Sequence, residues 1–231
     1  TRFQTVGLSI RWLPGTAQFV YADGVKPPGG DITYQQIFFY DTQTGVPPVQ
    51  LTFDPLQKRG AFMFQAPEFG GEWVFFTVAD RTELRIYRQL PDANGVPQWT
   101  VVRRITSPNA DEPYIASPEP FTYNGRTWLF MTLSRSSSAS DVTIPTSLAV
   151  TGIDPALQDT RALTDSRSLQ RLRQDPEYFI TSKGAYIYYS RALPGTGTSG
   201  PIHEGYFRVD TGLGAPVGVQ GSRSEASKVR R

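Results

Sequence analysis

Three tripeptides of one form recur along the chain: Ala66-Pro67-Glu68, Ser117-Pro118-Glu119 and Asp175-Pro176-Glu177. Each is followed within two residues by an aromatic, then by a turn with glycine, then by an apolar run. The three runs are Trp73-Val74-Phe75-Phe76-Thr77, Trp128-Leu129-Phe130-Met131-Thr132 and Ala185-Tyr186-Ile187-Tyr188-Tyr189. Aromatic and β-branched residues dominate them, which favours strand over helix. A chain that repeats itself at this interval must fold as a series of stacked copies, because one copy cannot bury its own faces.

A diverged fourth copy opens the chain. Arg11-Trp12-Leu13-Pro14-Gly15 precedes Gln18-Phe19-Val20-Tyr21-Ala22-Asp23, and Arg11 takes the place that glutamate holds in the others. The intervals Arg11–Glu68, Glu68–Glu119 and Glu119–Glu177 are 57, 51 and 58 residues, and 54 residues follow Glu177. Four repeats, near 8–55, 60–107, 111–165 and 170–220, thus fill one domain over residues 1–220, with a flexible basic tail at 221–231.

Each repeat reads as four strands. In the second, an inner strand approaches Ala66-Pro67-Glu68-Phe69, and further strands cover 72–78, 83–88 and 99–105. The turn Asp92-Ala93-Asn94-Gly95 joins the last two and has turn-forming residues. A unit of four antiparallel strands at this length is a propeller blade. The expected fold is an all-β β-propeller with four blades of four antiparallel strands, or five blades if one precedes Thr1. The last repeat lacks a clear outer strand, and residues 1–6 are the candidate to supply it and close the ring.

Composition agrees with many short strands and tight turns: 13% aromatic residues, 21 glycines and 19 prolines. It also narrows the chemistry. With no cysteine there is no disulfide, thiol nucleophile or zinc-thiolate site. The single histidine, His203, has no Gly-x-Ser-x-Gly elbow to serve. No metal or other cofactor is expected. A net charge of +2 with scattered Lys and Arg argues against a nucleic-acid surface. No apolar run reaches the ~20 residues of a membrane span. No leader is visible at Thr1, and a secreted or periplasmic location is the expectation.

Two family likenesses rest on particular residues. The first repeat resembles the TolB-type, WD-like repeat through Trp12-Leu13-Pro14-Gly15, Phe19-Val20-Tyr21, residues 36–45 and Gln50-Leu51-Thr52. That likeness implies a propeller and little about activity. The third and fourth repeats resemble the propellers of arabinanase-type glycoside hydrolases, through Ser117-Pro118-Glu119-Pro120-Phe121 and Asp175-Pro176-Glu177-Tyr178-Phe179 with the strands that follow. That likeness implies acids on several inner strands of a five-bladed ring, where this chain counts four repeats and has Arg11 in the first.

Equivalent positions in a propeller lie at equal distances from the axis, so Arg11, Glu68, Glu119 and Glu177 are expected to form a ring there. Asp175 is the one acid before the repeated proline and breaks the pattern. In an enzyme, two of Glu68, Glu119, Asp175 and Glu177 would be catalytic, since glycoside hydrolysis uses a pair of carboxylates of unequal pKa. In a binding protein, the same residues with Arg11 and the aromatic Tyr178 would hold the ligand. Tyr114, Phe121, Tyr123 and Trp12 either stack on sugars or fill the core. Alternatively, each glutamate locks its blade to the next through backbone N–H groups. The loops 26–30, 134–142 and 193–200 follow the second strand of their repeats and share one face.

Three functions follow. The first is a binding propeller of extracytoplasmic type with a small-molecule or glycan site on the axis. The second is a glycoside hydrolase of arabinanase-like plan. The third is a TolB-like scaffold that binds protein at the loop face.

Overall fold

The computed structural model describes residues 10–138, 140–196 and 198–216. They form four antiparallel sheets in chain order. The first holds β1 (Arg11–Trp12), β2 (Gln18–Val25), β3 (Tyr34–Asp41) and β4 (Val49–Gln50). The second holds β5 (Lys58–Ala66), β6 (Glu72–Ala79), β7 (Glu83–Pro91) and β8 (Pro97–Thr106). The third holds β9 (Tyr114–Tyr123), β10 (Arg126–Ser134), β11 (Thr146–Gly152) and β12 (Arg161–Ala162). The fourth holds β13 (Leu172–Thr181), β14 (Gly184–Leu193) and β15 (Ile202–Asp210). In every sheet sequential strands are neighbours. This is an all-β propeller whose fourth sheet has three strands among the described residues. Both residues 1–6, the candidate outer strand, and the tail 221–231 lie outside the described residues.

Three apolar cores fill the junctions between consecutive sheets. Val20 and Ile37 of the first sheet meet Met63, Phe75 and Tyr87 of the second. From the second sheet's other face, Val74, Phe76 and Ile86 meet Leu129, Met131 and Ala149 of the third. Phe130, Leu148 and Val150 then meet Ala185, Ile187 and Tyr189 of the fourth. Adjacent residues such as Phe75 and Phe76, or Leu129 and Phe130, serve opposite junctions because side chains alternate along a strand. The middle strands are therefore apolar on both faces, which is why they read as unbroken aromatic and aliphatic runs. Among the described residues, no core cluster joins the fourth sheet to the first.

The repeated tripeptide has a physical meaning in two of its three copies. Ser117 and Asp175 have positive φ, 46° and 47°, and stand at irregularities in the pairing of β9 with β10 and of β13 with β14. Such a bulge leaves a residue out of the hydrogen-bond ladder. Proline, which cannot donate, is tolerated there. The second sheet has the same bulge at Gly60, with φ 59°. The structural counterpart of Ser117-Pro118-Glu119 is therefore Gly60-Ala61-Phe62. Ala66-Pro67-Glu68 lies beyond the bulge, at the end of β5, where Pro67–Phe69 makes a 3-10 turn closed by Gly70. With Phe62 in the series, the intervals to Glu119 and Glu177 become 57 and 58 residues.

Candidate functional site

Pairing register gives the direction of each inner-strand side chain. Arg11 is opposite Val20, Phe62 opposite Phe76, Glu119 opposite Phe130 and Glu177 opposite Tyr188. Directly opposed residues share a face, so Arg11, Phe62 and Glu119 each point from their own sheet toward the next, and Glu177 lies on the face of the fourth sheet turned away from the third. They gather at the axis. The Arg11 guanidinium lies 4.7 Å from the centre of the Phe62 ring and 3.8 Å from Glu119 Oε1. Burial raises the Glu119 carboxyl above its ordinary pKa, and the negative charge of Glu177 raises it further, while Arg11 lowers it.

Glu68 is not in this ring, which corrects the placement read from the tripeptide. Its carboxylate accepts from Thr127 N at 3.0 and 3.2 Å and from Thr127 Oγ1 at 2.9 Å. Thr127 begins the second strand of the next sheet, so Glu68 ties the second sheet to the third and has no part in the axial group. Proline has no amide hydrogen, so Pro67 at the first position of the turn removes no hydrogen bond.

Two clefts of about 240 Å³ each adjoin at Ser117 and Glu119. The first, between the second and third sheets, is lined by Arg11, Arg59, Phe62, Arg81, Tyr114 and Glu119, with Ser134, Ser136 and Ser137 along its rim. The second, between the third and fourth sheets, carries Glu119, Asp141, Arg173, Asp175 and Glu177. Its one arginine is committed to the protein: Arg173 Nη1 donates to Thr146 O at 2.5 Å. Glu119 thus separates a cationic cleft from an acidic one. Ser136 and Asp141 place the loop after β10 beside both clefts, and Gly195 N donates to Val142 O at 2.9 Å to link it with the loop after β14.

The aromatics divide. Phe121 and Tyr123 are buried, and Tyr123 Oη donates to Gly214 O at 2.7 Å. Tyr178 stacks on Phe121 at 5.3 Å and still exposes 44% of its surface. Trp12 packs edge-on against Phe19 and remains exposed. Tyr114 alone of these lines a cleft next to Glu119. His203 is exposed on β15, opposite Ala192. Phe62, Arg59 and Arg81 escaped the motif reading. A backward count from Glu119 by the Glu119–Glu177 interval falls one residue from Phe62 and would have found it. Among the described residues, no group of three or more His, Asp or Glu is placed to hold a metal. No helix there is long and apolar enough to cross a membrane.

No protein-family model and no curated protein matches the chain. Solved structures are similar to it at low identity. An α-L-arabinanase of Penicillium chrysogenum complexed with arabinobiose shares 12% identity at a TM-score of 0.48, over 86% of this chain and 61% of that one. A GH43 endo-arabinanase of Bacillus licheniformis shares 11% at 0.44, over 88% and 72%. A thermostable family-43 glycoside hydrolase shares 12% at 0.43, over 90% and 77%. The chain thus spans about three fifths of the Penicillium chrysogenum structure. Identities this low assign no residue of those proteins to a residue of this one.

Proposed function

We propose that the axial clefts bind a glycan or a similar hydroxyl-rich small molecule, with Glu119 at the centre of the site. One observation carries this reading: Glu119 stands between two open clefts, raised in pKa by burial and by Glu177. A carboxyl in that position can accept or donate a hydrogen bond to a ligand hydroxyl. The serines on one side and the acids on the other extend polar contact along the groove, and Tyr114 offers an aromatic face. Asp175 and Glu177 belong to the same reading, at the acidic end. Tyr178, stacked on Phe121, serves the core and offers its exposed part to the surface.

A second reading, hydrolysis, draws on the same pair. Glycosidases separate the pKa values of two carboxyls so that one donates a proton while the other stays ionised. Glu119 is shifted in the direction required of the donor.

The test is a thermal-shift and calorimetric screen against neutral and acidic oligosaccharides. A ligand at about 100 times its Kd stabilises the native state by about 2.7 kcal/mol, easily read as a rise in Tm. Loss of that rise in Glu119→Gln supports the axial site. Release of reducing ends by the parent, abolished in the variant, adds catalysis. No rise with any sugar removes both readings.

A further inference from the structure

We propose that the cleft between the second and third sheets is an oxyanion site, in which Arg59 and Arg81 receive a carboxylate, sulfate or phosphate carried by the axial ligand. This deepens the glycan reading and rests on it for the neutral part of the ligand. It points to acidic sugars, a uronate being the form that combines a planar carboxylate with ring hydroxyls.

The case begins with unmet charge. Arg59 belongs to β5 and Arg81 to the turn after β6, and both line the cleft. Among the described residues neither guanidinium has a hydrogen bond or ion pair. The charged groups facing them in the cleft are Arg11 and Glu119, and Glu119 already has Arg11 at 3.8 Å. Other arginines of the fold are committed, as Arg85 is to Asp54, Arg88 to Glu72, Arg103 to Asp159 and Arg126 to Asp154. Among the described residues the exception besides these two is Arg135, which follows Ser134 at the cleft rim.

The two arginines also act against each other. Burial lowers the Arg59 pKa, and the positive charge of Arg81 lowers it further. Arg59 stays open to solvent, which screens the repulsion, and an anion between the two guanidinium groups reverses the sign of the interaction. The backbone of Arg81 is anchored beside the third sheet. The residue has φ 64°, an uncommon conformation for a side chain of its size, and its carbonyl accepts from Ile115 N of the third sheet at 2.6 Å. Guanidinium is the group suited to planar, two-pronged binding of oxyanions. Beyond the arginines, the serine rim and Tyr114 offer donors to the hydroxyls of the same ligand, which would then reach Glu119.

The experiment measures calorimetric binding of digalacturonate, its methyl ester, and inorganic sulfate and phosphate, each at fixed ionic strength. Proteins are the full chain, Arg59→Gln, Arg81→Gln, the double variant and Glu119→Gln, with Arg104→Gln as a charge-matched control on the outer strand β8. The expected result is digalacturonate binding that weakens at least tenfold in the double variant, is lost with the ester, and is unchanged in Arg104→Gln. Without ligand, each single variant should melt at or above the parent Tm, since a repulsion is removed; a loss of Tm would mark these arginines as structural and overturn the proposal. Equal binding of acid and ester, or full binding by the double variant, would also overturn it. If digalacturonate binding needs Glu119 but not the arginines, the glycan reading survives and the oxyanion site does not. If sulfate or phosphate binds through Arg59 and Arg81 while no sugar binds, the oxyanion site stands and the glycan reading falls.

Discussion

The guanidinium of Arg11 lies 3.8 Å from the carboxylate of Glu119, so the first and third sheets meet in charge across the axis. Arg11 is the one group that holds the Glu119 pKa down against burial and Glu177. Arg11→Ala should therefore raise it further. A carboxyl-carbon NMR titration of Glu119 in both proteins checks this, and an unchanged or lower midpoint would show that the pair is not coupled. The stability change should stay within about 1 kcal/mol, the range of solvent-reached pairs.

The same shift gives a pH dependence with a definite sign. A glutamate whose native pKa exceeds its unfolded value binds more protons folded than unfolded. Its contribution to stability is full below the unfolded pKa, near 4.3, and declines as pH rises through the raised native value. Glu119→Gln removes that decline. Urea denaturation at pH 4 and pH 7 should show a variant that gains on the parent as pH increases. Gain in the opposite direction would mean that Glu119 is stabilised as the anion.

Glu68 offers a contrast, because its role is fixed by hydrogen bonds to the next sheet. Glu68→Ala strands the amide of Thr127, a residue only 2% exposed. A cost of about 1–2 kcal/mol follows for a charged acceptor lost from a largely covered donor. Sugar binding at the axis should be unaffected. Denaturant midpoints and calorimetry on this variant separate the two functions of the look-alike glutamates.

Asp54 carries the clearest electrostatic load outside the site. It lies 2.7 Å from Lys58, whose side chain is fully buried, and 2.7 Å from Arg85. Burial pushes the Asp54 carboxyl up, but the two cations outweigh it and hold the pKa below the ordinary value. Asp54→Asn removes the ion-paired counter-charge of a buried ammonium and leaves it the Leu56 carbonyl and the weaker attraction of Asp80. The expected loss is about 2–4 kcal/mol, under the ceiling for a wholly buried pair because water reaches Asp54. In the parent, this contribution is present above the unfolded aspartate pKa and is lost as pH falls through the lowered native value. Thermal unfolding between pH 3 and pH 7 should show the gap between parent and variant closing toward acid.

The blade plan was legible because the middle strands are buried on both faces. Runs such as Trp73-Val74-Phe75-Phe76 and Trp128-Leu129-Phe130-Met131 leave a strand no polar side, and their recurrence counts the sheets. Glu119 and Glu177 were legible by another route: each follows the repeated proline, which marks the same bulge in both inner strands, whereas Arg11 was equated with Glu68 and comes to the axial group through the pairing of β1 with β2. Glu68 was misplaced because two local structures share one spelling. Proline suits a bulge at Pro118 and Pro176, and it suits the first turn of a 3-10 segment at Pro67, since neither place needs an amide hydrogen. The cationic cleft was illegible for a different reason. Arg59 and Arg81 are ordinary surface residues in the sequence, and their lack of partners exists only once the third sheet packs beside them.

The three bulges allow the strain itself to be measured. Gly60, Ser117 and Asp175 take φ of 59°, 46° and 47° at the same point of three inner strands. Aspartate tolerates this region through local hydrogen bonding of its short side chain, whereas β-branched residues do not. At Gly60 a new Cβ would meet only Pro118 Cδ, at 3.8 Å, an ordinary contact. Substitutions there are therefore limited by backbone torsion and not by space. Gly60→Ala should cost about 1–2 kcal/mol, Gly60→Asn less, and Gly60→Val more. Urea midpoints for the three variants give the order directly. If alanine and asparagine prove equal to glycine, the inner strand of the second sheet does not have a left-handed residue at this position, and Phe62 would lose its register with Glu119 and Glu177.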